Sequence, residues 1–323
     1  MGFDFLGVHF ESLALEHAGR LVPILERHPQ PLSGFTFATL AAWNSVFHYG
    51  WAQPTPELLL ISYQGDSEPN RNLLQPVGPI GRALAGTLIE RIADLEYRLR
   101  VVGVSPDFIE EEPEFAKAFV VTENRAAANY VYRAQDLATL AGKRFSKKRN
   151  LIAQARRLYQ WTVEPLRQEH LADCRAIIEE IRRTEQLEVC GTLEQELLTL
   201  DYTLQHFAQL RQRGTLLRVE GKPVAFSIYE TLNPTTAVVH YERALRDYKG
   251  LYQIVNQETA KVIFEEGFEL INREEDLDDP GLRQAKLSYH PVEIHPSLTL
   301  CFREELSHKP LLRPGEPSRP CPP

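Results

Sequence analysis

The residues at the end of one predicted strand have the types needed for proton transfer or for binding a charged substrate. The strand runs from Thr236 to Glu242, and Glu242 shares a face with His240 because alternate strand residues point the same way. A carboxylate at a strand end can act as a general base or bind a substrate ammonium group. Glu242 and its neighbour Tyr241 are therefore candidate catalytic residues, and Asn272, which ends the next predicted strand, is a third.

The loop after this strand has the composition of an anion-binding site. Arg246, Lys249 and Gly250 precede a predicted helix that begins at Leu251. Backbone amides at a helix N-terminus are unpaired and attract phosphate groups. We therefore predict that these three residues bind substrate, together with Asn256 in the helix. The alternative is an ordinary surface loop.

A short predicted helix lies between two further groups of polar residues. Asp279 is its predicted N-cap, with proline at the first helical position. Arg273 precedes this helix, while Lys286 and Tyr289 lie at its end. We add these three residues to the substrate-binding candidates. For Tyr289, burial in the core is the alternative.

The order of elements around the Gly250 loop is that of the GNAT acyltransferase fold. Two predicted helices precede three antiparallel strands, and a helix and a further strand follow. In that fold the pyrophosphate of coenzyme A binds a loop with the pattern Q/R-x-x-G-x-G/A. Here Asp247 takes the first position and Tyr252 the last. Because a carboxylate repels pyrophosphate and a tyrosine ring blocks close approach, coenzyme A is a disfavoured cofactor, and no other cofactor is predicted.

Basic residues are concentrated between Asp136 and Glu164, where no acidic residue occurs. They are Lys143, Arg144, Lys147, Lys148, Arg149, Arg156 and Arg157. A continuous helix here would bury unpaired cations, so we predict a break near Gly142. Ser146 is then the expected N-cap of a second helix.

Three of these cations, Lys147, Lys148 and Arg149, would occupy the first turn of that helix. Each would oppose the helix dipole by about 0.3–1 kcal/mol. We therefore predict that they bind an anion, together with Asn150, such as RNA phosphate or a lipid headgroup. The alternatives are a solvated basic face or pairing with acidic residues of another domain. Cations contribute only about 1 kcal/mol each at an anionic membrane, so we expect no tight membrane association.

Length and composition predict two globular domains. The chain has 323 residues, of which 43% are hydrophobic and 25% charged. Strands and helices alternate in both halves, which predicts an α/β fold (α+β mixed sheets) with two tandem GNAT-like domains. Predicted strands include residues 35–40 and a closing strand at 297–302. We predict an N-terminal domain at 1–130, a helical connection with the basic cluster at 131–165, a C-terminal domain at 166–308 and a proline-rich disordered tail at 309–323.

Other features of the sequence argue against several classes of protein. A net charge of −8 disfavours a general nucleic-acid binder. No apolar run approaches the ~20 residues of a membrane-spanning helix. The N-terminus lacks the pattern of a signal peptide, so we expect a cytoplasmic protein without an integral membrane segment. The four cysteines form no CxxC pair, and neither a metal site nor a disulfide framework is predicted.

Two longer segments resemble signatures of a known family. They are YVYRAQDLATLAGKRFSKKRN at residues 130–150 and INREEDLDDPGLRQAKLSYHP at residues 271–291. Both resemble bacterial proteins that share the C-terminal domain of phosphatidylglycerol lysyltransferases. The resemblance implies tandem GNAT-like domains over about residues 34–304.

The resemblance also implies a reaction. In the lysyltransferases this fold transfers an aminoacyl group from a charged tRNA to a lipid headgroup, without coenzyme A. We therefore expect an aminoacyltransferase whose partners are an aminoacyl-tRNA and a lipid or small-molecule acceptor. Those enzymes also carry a multi-spanning membrane domain, which we do not find in these 323 residues. The alternatives are a coenzyme A-dependent N-acyltransferase and a non-catalytic GNAT-like module that binds RNA or a protein.

Overall fold

The computed structural model describes residues 2–64, 70–185 and 191–311. The chain forms two compact units. One consists of Met1–Asn129 and His295–Pro323, and the other of Tyr130–Ile294. Most of the tail predicted at 309–323 lies outside the described residues.

The first unit contains an eight-stranded mixed sheet. Its strands are β1 (Gly2–Phe5), β2 (Val8–Ser12), β3 (Gly50–Thr55), β4 (Leu58–Gln64), β5 (Arg71–Leu74), β6 (Arg100–Val104), β7 (Phe119–Glu123) and β15 (Leu298–Phe302). They lie in the order β1-β2-β3-β4-β5-β6-β15-β7, and only β5 and β6 pair in parallel. Its helices are α1 (Ala18–Arg27), α2 (Phe37–Phe47), α3 (Arg82–Ala93), α4 (Pro106–Glu111) and α5 (Pro113–Ala116).

Helix α2 replaces the strand predicted at 35–40. The hydroxyl of Thr36 caps this helix by accepting a hydrogen bond from the Thr39 amide at 3.0 Å. The first six residues of α2, Phe37 to Ala42, are all buried. A helix that is buried on every side has no apolar stripe, so its sequence shows no helical period.

Strand β15 corrects the predicted C-terminal boundary. It lies between β6 and β7, where Leu300 is paired with Val101 on one side and Val121 on the other. Leu300 and Phe302 are buried in the core of the first unit. The closing strand therefore belongs to the first sheet, and the second unit ends at Ile294 rather than at residue 308.

The second unit contains a seven-stranded mixed sheet. Its strands are β8 (Asn129–Arg133), β9 (Trp161–Pro165), β10 (Arg213–Val219), β11 (Lys222–Asn233), β12 (Thr236–Ala244), β13 (Leu270–Asn272) and β14 (Glu293–His295). They lie in the order β14-β8-β13-β12-β11-β10-β9. Its helices are α6 (Ala134–Thr139), α7 (Ser146–Leu158), α8 (Leu171–Glu185), α9 (Gly191–Gln205), α10 (Leu251–Glu265) and α11 (Pro280–Leu287).

The segment predicted as a connection at 131–165 is part of the second unit. Strand β8 pairs with β13, β9 pairs with β10, and helices α6 and α7 pack on α10. The predicted break near Gly142 is confirmed, because Leu140 and Gly142 adopt φ values of 48° and 86°. The predicted cap is wrong. Ser146 is already helical, and Phe145 occupies the N-cap position without a side-chain hydrogen bond.

Strands β12 and β13 separate after a short parallel pairing. They pair from Thr236 and Leu270 to Val238 and Asn272, while β12 continues to Ala244. The pairing of β11 with β12 skips His240, which marks a bulge at this point. The end of β12 and the residues after Asn272 therefore diverge from a common point, and the candidate site lies there.

Candidate functional site

An ion pair between Glu242 and Arg273 forms the centre of the candidate site. Arg273 Nη2 lies 3.0 Å from Glu242 Oε1, and the two side chains are only 17% and 12% exposed. The amide of Asn256, on α10, donates to the second carboxylate oxygen at 3.4 Å. Burial opposes the charge on Arg273, but Glu242, Tyr132 and Tyr289 together outweigh this effect and raise the pKa of the guanidinium. Three sequence-predicted residues therefore meet in one buried cluster.

The ring of Tyr289 connects this ion pair to the basic segment. Lys148 Nζ lies 3.9 Å from the ring centroid, and the guanidinium carbon of Arg273 lies 5.4 Å from it. Lys148 also donates to Ser288 Oγ at 2.7 Å. Burial lowers the pKa of Lys148, and the nearby Arg273 adds to the effect. Lys148 thus lies with the Glu242 cluster, as a partly desolvated cation beside a tyrosine ring.

Lys286 holds the backbone of the same cluster. Its side chain is buried, and Nζ donates to the carbonyl oxygen of Arg273. Its own carbonyl accepts from the Tyr132 hydroxyl at 2.9 Å. Burial, followed by Arg273, lowers the pKa of Lys286. Lys286 therefore contacts the main chain of Arg273 and fixes the backbone that carries the ion-paired side chain.

His240 is clamped between two carboxylates. Its Nε2 lies 2.7 Å from Glu230 and its Nδ1 2.7 Å from Glu274, and the histidine side chain is 8% exposed. Burial opposes protonation, but the two carboxylates outweigh it and raise the pKa of His240 to about 10. The imidazole is therefore a cation at neutral pH. It ties β12 to β11 and to the loop after β13, and it has no free nitrogen for base catalysis.

Asn272 and Tyr241 have local roles in the structure. Asn272 is fully buried, and its side-chain oxygen accepts from the Glu274 amide at 2.7 Å, which fixes the turn after β13. Tyr241 faces the other side of the sheet from Glu242, where its hydroxyl donates to Thr199 Oγ1 at 3.0 Å. The structure therefore does not bring Tyr241 to the Glu242 cluster.

The predicted anion loop is covered by α7. A Cβ atom on Gly250, which has a φ of 80°, would lie 2.9 Å from the carbonyl oxygen of Leu151. The Tyr159 hydroxyl donates to the Lys249 carbonyl at 2.6 Å. Arg246 and Lys249 are exposed. Close packing of another helix against this loop leaves little access to the N-terminal amides of α10.

We expect acetyl-coenzyme A to show no saturable binding in calorimetric titration. The reasons are the carboxylate of Asp247, the ring of Tyr252 and the packing of Leu151 on Gly250. A micromolar dissociation constant would contradict this expectation and would favour a coenzyme A-dependent reaction.

The other basic residues of this segment have different partners and do not share one site. Arg149 donates to the carbonyl oxygens of Leu140 and, at 2.6 Å, Gly142. Arg144 pairs with Asp136 at 2.6 Å. Lys147 and Asn150 are exposed. The Arg149 cation satisfies carbonyls beyond the end of α6, where a positive charge is favourable, and this explains its place in the first turn of α7.

Replacing Arg149 with methionine should destabilise the protein by about 1 kcal/mol, because charged hydrogen bonds to two carbonyls are lost. Replacing the exposed Lys147 with methionine is the matched control and should leave stability unchanged or slightly higher, because a cation is removed from the first turn of α7. Urea denaturation measures both. Equal effects of the two substitutions would contradict the capping role of Arg149.

Several residues of the cluster were not singled out from the sequence. They are Tyr132, Glu230 and Glu274. Tyr132 and Glu274 lie within the two segments that resemble family signatures, which was the available signal. Glu230 becomes recognisable only through the register of β11 and β12. Among the described residues, no group of three or more potential ligands could hold a metal ion, and no helix is long and apolar enough to cross a membrane.

Several solved structures resemble this chain over most of its length. A conserved protein of unknown function from Bacteroides thetaiotaomicron is 30% identical, with a TM-score of 0.84 over 92% of this chain and 100% of that chain. The C-terminal domain of a protein described as lysylphosphatidylglycerol synthetase from Agrobacterium fabrum is 15% identical, with a TM-score of 0.62 over 90% and 92%. L-PGS from Bacillus licheniformis is 14% identical, with a TM-score of 0.62 over 88% and 91%.

The latter two likenesses show the fold, and the predicted fold class of two tandem GNAT-like domains with mixed sheets is confirmed. A search of curated proteins gives no significant match. Residues 26–300 match the family model described as phosphatidylglycerol lysyltransferase, C-terminal. The chain therefore belongs to the family defined by the C-terminal domain of phosphatidylglycerol lysyltransferase.

Proposed function

We propose that this protein transfers an aminoacyl group from an aminoacyl-tRNA to a hydroxyl or amine of a lipid headgroup or small molecule. The observation that carries the proposal is the buried Glu242–Arg273 pair where β12 and β13 diverge. Family membership supports aminoacyl transfer as the general reaction. The identities of the aminoacyl donor and of the acceptor are the elements of the proposal that an experiment must test.

The cations of the cluster fit the charge that such a reaction develops. When the acceptor attacks the ester carbonyl, negative charge forms on the carbonyl oxygen before the bond to the ribose oxygen breaks. Arg273 and Lys148, both partly desolvated beside Tyr289, are suited to stabilise that oxygen. The proton of the attacking group ends on the released ribose hydroxyl. Glu242 accepts that proton temporarily as a general base, or it binds a substrate ammonium group.

The donor fits the exposed basic and amide side chains around α7. Lys147 and Asn150 are exposed in its first turn or directly after it, and Arg157 is exposed near its end. A tRNA backbone supplies phosphates for such cations, and its binding should weaken as salt increases. In this arrangement α7 connects the tRNA backbone to Lys148 in the cluster.

Replacing Glu242 with glutamine should lower the rate of transfer at least about 100-fold, since one charged group of a preorganised site is removed. The assay follows radiolabel from a mixture of charged tRNAs into a lipid and small-amine extract. Glu265→Gln, on the exposed face of α10, is the matched control and should retain activity. If wild-type protein moves no label from any tRNA, the proposed function is wrong.

A further inference from the structure

A row of polar side chains crosses three strands of the second sheet beside the candidate site. Thr215 on β10 is directly opposite Ser227 on β11, and Ser227 is directly opposite Glu242 on β12. Directly opposite residues of antiparallel strands share a face, so the three side chains point to the same side. An apolar interior would otherwise be expected in the middle of this sheet.

Helix α10 covers this row with two polar residues that are one turn apart. Thr259 Oγ1 lies 2.7 Å from Thr215 Oγ1, and Asn256 Nδ2 lies 3.4 Å from Glu242 Oε2. Ser227 lies between these two contacts. Ser227 is 0% exposed and Asn256 is 4% exposed. The row is therefore sealed from solvent except at Glu242, which opens to the cluster around Arg273.

Two oxygen atoms in this strip have no hydrogen-bond partner among the described residues. They are Ser227 Oγ and Asn256 Oδ1. The amide orientation follows from chemistry, because only the amide nitrogen can donate to the Glu242 carboxylate, and the amide oxygen must then point elsewhere. Buried polar atoms of native proteins are nearly always satisfied, so two in one strip require a hydrogen-bonding partner, which is an ordered water or a ligand.

We propose that Glu242, Asn256 Oδ1 and Ser227 Oγ form a binding site for a primary ammonium group. This inference rests on the proposed function, in which an aminoacyl donor carries such a group. An ammonium has three donors and no acceptor, and it matches one carboxylate and two neutral acceptor oxygens. Glu242 is the anchor for the ammonium group, and the site extends along the sheet to Ser227.

The first experiment compares ligands by calorimetric titration of the wild-type protein. The probes are L-alaninamide and L-lysinamide, their Nα-acetylated forms, and phosphoethanolamine. We expect α-acetylation to weaken binding of L-alaninamide at least about tenfold, because a charged hydrogen-bonded group is lost. Selective binding of the amino acid amides identifies the donor as the source of the ammonium, and selective binding of phosphoethanolamine identifies the acceptor. Absence of binding by every probe, or equal binding of L-alaninamide and its Nα-acetylated form, overturns the proposal.

The second experiment compares two hydroxyl deletions in the same row. Ser227→Ala removes an unpaired hydroxyl, so it should weaken binding of the preferred ammonium probe about tenfold while leaving thermal stability unchanged or higher. Thr215→Val is the control, because its hydroxyl is already paired with Thr259. It should lower thermal stability and leave probe binding unchanged. Unaltered binding by Ser227→Ala overturns the proposal, whatever the transfer assay shows. Failure of transfer with intact ammonium binding would remove only the proposed reaction.

Discussion

Replacing Arg273 with methionine should destabilise the protein by about 3–5 kcal/mol. The substitution leaves the Glu242 carboxylate buried without its cation, and removing one partner of a buried ion pair has a cost of this size. The pair is largely desolvated, with side chains 17% and 12% exposed, so solvent cannot compensate for the loss. Urea denaturation at neutral pH measures the change in free energy of unfolding.

A double-mutant cycle isolates the contribution of the pair from other effects of the substitution. Adding Glu242→Gln to Arg273→Met removes the unpaired charge and should restore part of the lost stability. Arg182→Met, which removes a cation from an exposed pair with Glu179 on α8, should change stability little. Additive losses from the two site substitutions would show that Glu242 and Arg273 are not energetically coupled.

Replacing His240 with glutamine should remove the contribution of this imidazole to the pH dependence of stability between about pH 6.5 and pH 10. The pKa of His240 is raised to about 10 by Glu230 and Glu274 against the effect of burial. An unfolded histidine has a pKa of about 6.5. A raised pKa stabilises the folded state fully below the unfolded value, and this stabilisation is lost as pH rises through the folded value. The contribution therefore declines between about pH 6.5 and pH 10, by up to about 1.4 kcal/mol per pH unit.

Urea denaturation over that pH range tests the role of His240. The difference in stability between wild type and His240→Gln should shrink as pH rises. His308→Gln is a control, because His308 is half exposed and contacts Asp94 at the surface. A constant difference between wild type and His240→Gln across the range would show that the imidazole is not held as a cation between the two carboxylates.

Local chemistry in the sequence was sufficient to predict many helix ends and part of the site. The sequence predicts a break at Gly142 because a continuous helix would bury cations. It also predicts Asp279 as a cap, and the Asp279 side chain accepts from the Leu282 amide at 2.6 Å. Glu242, Asn256 and Arg273 were each predicted from their own segments, and the structure brings them together.

Features that depend on pairing between distant segments were not predictable in this way. The partners of His240 and the row that contains Ser227 follow from strand register, which depends on turns and on the bulge in β12. The sequence of β15 alternates in a way that fits either sheet, so it does not predict that β15 belongs to the first one. The pattern at 35–40 predicts a strand in place of helix α2 because the first six residues of the helix are all buried, and burial on every side removes the helical period. Ser146 has the chemistry of a cap, but Phe145 occupies that position and is itself buried.

The position of β15 between β6 and β7 has a consequence for the order in which the chain can fold during synthesis. The pairing of Leu300 with Val101 joins residues that are far apart in sequence. The second unit, in contrast, is formed by one continuous segment, Tyr130–Ile294. As the chain emerges from the ribosome, the second sheet can be completed first, although it starts later. The first sheet must wait with β6 and β7 unjoined until Leu298–Phe302 is made. Until then the facing edges of β6 and β7 are unpaired, and unpaired strand edges can pair with another chain.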